Sequence, residues 1–356
     1  MTRASHHEPM TPIAISTYAR TLRACLPKEM FAPVPARLGW FGLYVLLIGA
    51  GITAVAMHPA SWVMRLLLAL VIGHGFAGIA FVGHELMHGA IVRAKRLRHV
   101  LGWLCFLPFT MSPRLWIAWH NRVHHGHTMQ AGVDPDAYPT LSAYKRSRML
   151  RLADRLSPAR GRWLGWIGLA IGFTLQSKQV LLRLGRTPGY LPPRQYVAAV
   201  VETLLGVLCW AGLALLIGPG AFVFAFVLPL LIANAVVMSY ILTNHNLSPL
   251  TDINDPLLNS LSVTTPRFFA RLHLNFGLHV EHHLFPAMSA VHAESVRAAL
   301  LRLWPERYQS MTLPQALWRL FSTPRVYKDP RTLIDPPTGR EHPTLLPADL
   351  RRCGSL

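Results

Sequence analysis

The chain has 356 residues, of which 52% are hydrophobic and only 14% are charged, and its mean hydropathy is +0.31. Ordinary soluble domains carry about 25% charged residues, so this composition excludes a typical soluble protein and predicts a membrane protein. The net charge of +19 lies mainly in segments beside the apolar runs, which favours an anionic membrane surface as the partner and gives no reason to expect nucleic acid.

The first elements along the chain predict two helical hairpins in a membrane. The first 38 residues contain no apolar stretch typical of a cleaved signal peptide, so we expect residues 1–39 to form a cytoplasmic N-terminal segment. Four later stretches approach the length of about 20 apolar residues that a membrane span needs. They cover residues 40–57, 62–83, 196–217 and 220–243, and the short links within each pair contain no Lys or Arg.

The distribution of basic residues predicts the orientation of these spans. Residues 84–195 contain 17 of the 35 Lys and Arg residues, and most of the others lie in the two terminal regions. The positive-inside rule places these three regions in the cytoplasm, so the second and fourth spans end at the same membrane face. Two weaker apolar runs, at 100–111 and 163–184, predict interfacial or re-entrant helices. The proline-rich tail after Pro324 predicts an extended, surface-bound segment.

Half of the 18 histidines follow a pattern that is typical of metal ligands. Histidines three or four residues apart share one face of a helix, and adjacent histidines are rotated by about 100° from each other. The motifs that end in two histidines therefore suit two metals. The nine residues are His84 and His88 in HELMH, His120, His124 and His125 in HNRVHH, His279, His282 and His283 in HVEHH, and His245 near the end of the fourth span.

HELMH alone has the HExxH pattern of a zinc metalloprotease, in which Glu85 would be the general base. A catalytic zinc takes three protein ligands, so a protease would leave the other two motifs unexplained. Imidazole also binds iron, and nine histidines suffice for a pair of redox metals. A carboxylate-rich di-iron site needs two Glu-x-x-His pairs, and only Glu85 with His88 fits that pattern.

Five further residues are candidates to support the ligating histidines through hydrogen bonds, since a ligating imidazole usually donates its other N–H to an oxygen. Asp134 and Asp136 fit a surface turn around Pro135 equally well. Glu202, inside the third span, is either functional or reaches the interface, and His127 is either a spare ligand or a supporting residue. The five candidates are Glu85, Asp134, Asp136, Asn275 and Glu281.

HELMH, HNRVHH and NFGLHVEHHLFP resemble the three histidine boxes of the membrane fatty acid desaturases in order, spacing and position relative to the spans. The resemblance covers about residues 40–290 and leaves 291–356 as a cytoplasmic C-terminal extension. It implies an all-α integral membrane protein with four transmembrane helices in two hairpins and a cytoplasmic helical cap that holds two non-haem irons. The eight box histidines, with His245 as an additional ligand, would bind the irons.

The resemblance also implies an activity, which is O2-dependent insertion of a double bond into an acyl chain carried as a lipid, a coenzyme A thioester or an acyl-carrier protein. The chain has no HPGG haem-domain motif, so we expect electrons from a separate ferredoxin or similar carrier with its reductase. A lipid hydroxylase or a carotenoid- or sphingolipid-modifying oxygenase of the same superfamily stays open, as does an intramembrane zinc protease. We expect a multi-pass protein of the bacterial cytoplasmic membrane with its catalytic side in the cytoplasm.

Overall fold

A computed structural model describes residues 11–57, 61–159, 161–187 and 189–347, and most of these residues are helical. The link at 58–60 between the first two predicted spans lies outside the described residues. The helices are α1 (Ile15–Cys25), α2 (Leu38–Met57), α3 (Trp62–Met87), α4 (Lys95–Phe106), α5 (Pro113–Trp116), α6 (Leu141–Arg146), α7 (Arg148–Leu156), α8 (Leu164–Leu182), α9 (Pro193–Phe222), α10 (Leu228–His245), α11 (Pro256–Asn259), α12 (Arg267–Leu272), α13 (His279–Leu284), α14 (Ala293–Leu303) and α15 (Leu313–Ser322).

Five short strands accompany the helices in these ranges, so the described chain is mostly, but not entirely, helical. Strands β1 (Ser262–Thr264) and β2 (Ser310–Thr312) pair in parallel. Strands β3 (Val326–Asp329), β4 (Thr332–Ile334) and β5 (Glu341–Pro343) form an antiparallel sheet in that order. Among the residues that the structure describes, three helical segments are long and apolar enough to cross a membrane, namely Pro35–Met57, Trp62–Met87 and Pro193–His245.

Helix α3 is the central helix of the bundle. It packs against α2, α4 and α10, and all of its residues from Gly75 to Met87 are buried. Glycine allows the close approach to α2, because a Cβ at Gly78 would overlap the Tyr44 ring. The helix continues four residues past the predicted boundary at residue 83, so the first histidine motif begins inside its last turn.

The third apolar segment is a hairpin, although its 53 residues are helical along nearly their whole length. Gly218 interrupts the helix with φ 78° and ψ 160°, a backbone conformation that suits glycine. The rings of Trp210 and Phe226 stack with centroids 4.2 Å apart, whereas a continuous helix would separate these residues by about 24 Å. The chain therefore reverses at the predicted link, and a π-helical turn at Val223–Val227 leads into α10.

The segment between the hairpins that carries the second histidine motif is sharply bent. Helix α4 and the 3-10 turn Leu107–Phe109 form its first half, and α5 with the π-helix Ile117–His124 forms its second half. The two halves meet at 96°. The apolar run at 100–111 is thus one half of a bent unit, and Thr110, with φ 47°, lies at the corner.

Two charged side chains hold this bend in place. Glu202 of α9 accepts hydrogen bonds from Ser112 Oγ at 2.5 Å and from Arg114 Nε at 2.9 Å. Lys178 of α8 donates from Nζ to the carbonyl oxygens of Phe109 at 3.0 Å and Thr110 at 2.6 Å. Glu202 therefore anchors the segment that carries the second motif to α9.

The N-terminal helix packs directly onto the third histidine motif. Tyr18 and Leu22 of α1 are fully buried in a cluster that contains Val280 and Leu284 of α13. The predicted N-terminal segment therefore shares a hydrophobic cluster with the third histidine motif, which its polar composition did not indicate.

Residues 325–347, the described part of the C-terminal tail, are not an extended surface segment, so that prediction was wrong for them. Val326, Tyr327 and Leu333 are buried, and the Tyr327 hydroxyl donates to the carbonyl of Ser248 at 2.7 Å. The prolines fall where a sheet tolerates them, since Pro330 lies between β3 and β4 and Pro343 ends the edge strand β5.

The reversal at Gly218 gives a test of the hairpin. Gly218→Ala places a side chain on a backbone that L-residues rarely adopt, so we expect it to lower the free energy of unfolding by about 2 kcal/mol. Gly220→Ala is the matched control, because a Cβ there meets open space within a helix. Thermal unfolding of the detergent-solubilised protein measures both effects. Equal stability of the two variants would contradict the reversal.

Candidate metal centre

The nine predicted histidines come together in two adjoining groups. In each group, one ring nitrogen from every residue lies within 4.8 Å of the others. The five-histidine group contains His84, His88, His120, His125 and His282. The four-histidine group contains His124, His245, His279 and His283. The sequence-predicted set is therefore assembled in one place without the addition or loss of a histidine.

The last turn of α3 positions the first motif. His84 and His88 are four residues apart on a helix, so their side chains share one face. Their ring centroids are 4.8 Å apart, and His84 Nε2 lies 3.0 Å from His120 Nε2 of the second motif. Both residues therefore face the five-histidine group.

The second motif lies on a π-helix rather than on the α-helix that its spacing suggested. The backbone N–H of His125 donates to the carbonyl of His120 at 3.0 Å, which is the five-residue repeat of a π-helix. This repeat aligns His120 with His125, and the Nε2 atoms of the two residues are 3.2 Å apart. It also turns His124 toward the four-histidine group. Short π-helical turns occur frequently at functional sites.

Helix α13 supplies the third motif and shows the same division of adjacent histidines. His282 Nε2 lies 3.1 Å from His125 Nε2 in the five-histidine group. His279 and His283 each approach His245 Nε2, at 2.9 and 3.2 Å. Each adjacent pair thus contributes one ring to each group, as the helical rotation predicts.

The arrangement of nitrogens fits bound transition-metal ions. Two imidazole nitrogens that bind one ion at about 2.1 Å and at a right angle are about 3.0 Å apart, which matches the distances between neighbouring Nε2 atoms. The Nε2 atoms of His88 and His124 are buried and have no hydrogen-bond partner in the described part of the chain. Leaving such an atom unpaired costs about 1–3 kcal/mol, and a metal ion would remove that cost.

The protonation state of the third motif also favours metal binding. Burial and the neighbouring imidazoles keep the pKa of His279, His282 and His283 well below the usual value for histidine. These rings are therefore neutral at physiological pH, and a neutral imidazole has the lone pair that a metal ligand needs. A donor set made only of imidazoles suits iron and other borderline transition metals.

Asp134 and Asp136 are buried and orient His124, as one of the two interpretations of the sequence predicts. His124 Nδ1 lies 3.0 Å from Asp134 Oδ1 and 3.3 Å from Asp136 Oδ2. Burial lowers the pKa of His124, but the two carboxylates outweigh burial and raise this pKa to about 9. The pair fixes the ring so that Nε2 faces the four-histidine group.

Two supporting residues could not be recognised from the sequence. His245 Nδ1 donates to the backbone carbonyl of Asn259 at 3.3 Å, and His283 Nδ1 donates to Thr128 Oγ1 at 3.3 Å. Each bond fixes the tautomer that leaves Nε2 free for a metal. Neither partner belongs to a motif, and one bond uses only the peptide backbone, so the sequence carried no signal for them.

Glu85 does not support a histidine, which corrects its predicted role. Its Oε2 accepts two hydrogen bonds from Arg37, at 2.8 and 3.1 Å, and its Oε1 accepts from the Ser289 hydroxyl and from Ala290 N–H. The physical reason is helical rotation, because the side chain that follows His84 points about 100° away from the metal-facing side. Glu85 instead joins α3 to the N-terminal segment and to the turn after α13.

Glu281 likewise supports the backbone of the third motif and not its rings, and Asn275 binds the turn that follows the motif. Glu281 accepts hydrogen bonds of 2.5 Å from Ser262 and from Tyr308, and burial raises its pKa. Ser262 Oγ accepts in turn from the backbone N–H of His279 at 3.1 Å. Asn275 donates from Nδ2 to the carbonyl of Ala290 at 3.3 Å.

His127 lies outside both histidine groups. Its side chain is exposed, and its Nδ1 donates to the carbonyl of Val123 at 3.3 Å. Gly126 follows the end of the π-helix, so the chain has already turned away from the centre at this point. The structure therefore does not bring His127 to the metal centre as a spare ligand.

Two cavities border the histidine groups. The aromatic cavity contacts histidines of both groups, namely His84, His120, His124, His245 and His279. Its other walls include Phe106, Trp116, Trp119, Phe173, Val237 and Ile241. A second cavity is lined by His84 and His282 together with Phe285.

Comparison with known proteins supports the resemblance that the histidine motifs suggest. The sequence model of the fatty acid desaturase family matches residues 60–314. An sn-1 acyl-lipid omega-3 desaturase (ferredoxin) of Synechocystis sp. is 27% identical in an alignment of 322 positions that covers 84% of each chain. A protein of the same description from Nostoc sp. is 33% identical over 126 residues, which are 35% of this chain and 34% of the relative.

A third relative comes from a plant. The chloroplastic sn-2 acyl-lipid omega-3 desaturase (ferredoxin) of Helianthus annuus is 22% identical in an alignment of 323 positions that covers 82% of this chain and 69% of the relative. The family match covers more than half of the chain and includes all three histidine motifs. The chain belongs to the fatty acid desaturase family.

Proposed function

We propose that this chain is an acyl-lipid desaturase that inserts a double bond into the hydrocarbon chain of a membrane lipid. Two irons would be held by the five-histidine and four-histidine groups, O2 would be the oxidant, and a ferredoxin-type protein would supply electrons. The observation that carries the proposal is the pair of histidine groups beside one apolar cavity. The names of the relatives support the lipid substrate and the ferredoxin donor.

The proposed reaction balances with an external supply of electrons. A –CH2–CH2– unit, O2, two electrons and two protons give –CH=CH– and two molecules of water. The bound irons would supply the redox chemistry with O2, which no side chain can perform alone. The residues of the chain bind the ions, exclude water and hold one part of the substrate beside them.

The aromatic cavity supports binding of a hydrocarbon chain. Phe106, Trp119 and Phe173 are buried and give it apolar walls, so a hydrocarbon chain that moves from the bilayer into the cavity stays in an apolar environment. The cavity contacts histidines of both groups, so an acyl chain inside it passes both proposed irons. Fixed placement of one methylene pair against the oxidant is the main contribution that a protein can make to this reaction.

The environment of Glu85 argues against a zinc protease. A general base needs a carboxylate that is free to take a proton from water. Both oxygens of Glu85 are occupied, Oε2 by Arg37 and Oε1 by Ser289 and Ala290. A lipid hydroxylase would use the same metal ligands, and the chemical identity of the product separates it from a desaturase.

The proposed topology has four membrane crossings, two from α2 and α3 and two from the legs of the hairpin that reverses at Gly218. His84 near the end of α3 and His245 at the end of α10 then lie at one membrane face. The basic segments that flank the spans support a cytoplasmic location for this face, according to the positive-inside rule. We propose the cytoplasmic membrane of a bacterium as the location.

Product analysis tests the activity directly. We expect cells that express the wild type to accumulate a fatty acid with one additional double bond, and cells that express His283→Ala to lack it. Gas chromatography with mass spectrometry of total lipids, with localisation of the double bond, measures the change. A product that carries only a hydroxyl group, or an unchanged lipid profile, would contradict desaturation.

Metal analysis tests the ligand assignment. We expect about two irons per purified chain, with lower iron content in both His88→Ala and His283→Ala because each variant removes a nitrogen from one group. His127→Ala is the matched control and should retain the iron and activity of the wild type. Stoichiometric zinc in place of iron, or full iron content in His283→Ala, would refute the assignment.

The role of Asp134 can be tested separately from the ligands. Asp134→Asn removes the charge that orients His124, and loss of such a partner typically weakens metal binding by about 10- to 100-fold. We expect faster loss of iron to a chelator and lower activity. Asp252→Asn, which changes an exposed carboxylate, is the control. The same chelation rate in both variants would exclude an orienting role for Asp134.

A further inference from the structure

A group of basic side chains surrounds a half-buried phenylalanine on the N-terminal segment. We call Arg23, Lys28, Phe31 and Arg93 the Phe31 patch. Its three basic side chains are exposed, and Glu29 is the acidic residue in the same turn. The patch therefore carries a net positive charge of about two, which falls off over a Debye length of about 8 Å at physiological salt.

Direct contacts hold the patch together. Arg23 Cζ lies 4.5 Å from the centroid of the Phe31 ring, and Arg93 Nη2 donates to the Phe31 carbonyl at 3.4 Å. Lys28 and Phe31 are the first and last residues of one 3-10 turn. The patch thus joins α1, the turn that follows it and the segment after the first histidine motif.

The aromatic centre of the patch leads to the five-histidine group. The ring of Phe31 packs edge-on against Phe285 with centroids 5.1 Å apart, and Arg23 also lies over Phe285 at 5.3 Å. Phe285 is only 4% exposed and lines the second cavity together with His84 and His282. Two aromatic rings in contact therefore connect a basic surface to a cavity that borders two histidines of the five-histidine group.

We propose that the Phe31 patch is the docking surface for a small acidic protein that carries one electron at a time. The inference rests on the proposed function, which needs two electrons for each double bond. In each encounter the metal centre of the carrier loses one electron and the histidine-bound iron centre gains it, so two encounters supply one turnover. Electron transfer slows steeply with distance, so the carrier must dock near the histidines.

The charge of the patch fits this partner. Oppositely charged surfaces accelerate the association of two proteins, and the acceleration decreases as salt increases. A basic surface beside a membrane also attracts anionic lipids. The packing of Phe31 on Phe285 favours the carrier, because lipid attraction requires only charge whereas electron delivery requires a short path to the metal centre.

The test uses the iron-loaded enzyme in nanodiscs of neutral phosphatidylcholine, with a reduced plant-type [2Fe–2S] ferredoxin as the electron donor. We expect Lys28→Glu/Arg93→Glu to lower ferredoxin-supported turnover about tenfold at low salt and to flatten its salt dependence. Lys145→Glu/Arg148→Glu, which reverses two exposed charges near the start of α7, is the matched control and should retain wild-type turnover. Lys28→Gln/Arg93→Gln should show a smaller decrease, because it removes the charge without reversing it.

Chemical reduction separates this inference from the proposed function. With dithionite as the electron source, wild type and patch variants should form equal amounts of product in a single turnover, which shows that the centre and the substrate site are intact. No product from the wild type with dithionite would refute the proposed function. If the charge-reversed variant fails with dithionite, the glutamine variant, which leaves the surface without added negative charge, decides the result.

Two outcomes would refute the assignment of the Phe31 patch as a docking surface. One is ferredoxin-supported turnover that is equal in the wild type and in a patch variant that remains active with dithionite. The other is a change that appears only as weaker binding to vesicles containing phosphatidylglycerol, with unaltered ferredoxin kinetics. The second result would assign the patch to the membrane surface instead.

Discussion

The constraint on which this structure depends is that nine imidazole rings face one another in a space from which water is largely excluded. Their lone pairs repel at separations near 3 Å unless a proton or a cation lies between them. His120 shows the problem directly, since its Nε2 lies 3.0 Å from that of His84 and 3.2 Å from that of His125. Such an array is stable only when a proton or a metal ion lies between facing nitrogens and when surrounding elements hold each ring at a fixed angle.

The two groups meet this requirement in different ways. In the four-histidine group, bonds at the outer nitrogen fix the rings, from His124 to Asp134 and from His245 to the Asn259 carbonyl. At the start of the five-histidine group the backbone is fixed instead, because Glu85 binds Arg37 on one side and the turn at Ser289 on the other. The N-terminal segment and the turn after α13 therefore act as braces for α3.

The sequence was sufficient for the parts of the centre that follow a helical period. The nine ligand candidates, the division of adjacent histidines between two groups and the reversal at Gly218 all follow from local spacing. The π-helix at the second motif was not predictable, because its extra residue per turn depends on tertiary packing and not on propensity. The partners of Glu85 were also hidden, since Arg37 and Ser289 are 48 and 204 residues away from it in sequence. The strands after Pro324 were not predicted, because each strand has only a short alternation of apolar and polar residues and the nearby prolines indicated a loop.

The direction in which the aromatic cavity runs indicates how a substrate reaches the histidines. Val237, Ile241 and His245 are four residues apart on α10, so the face that presents the histidine also lines the cavity within the apolar helix. On α3, Ala80 and His84 have the same relationship. The histidines thus stand at the end of apolar helical faces and beside a cavity that continues along them. A hydrocarbon chain that belongs to a membrane lipid can follow these faces to the centre without crossing water, whereas a soluble thioester would first have to transfer its whole chain from the aqueous side.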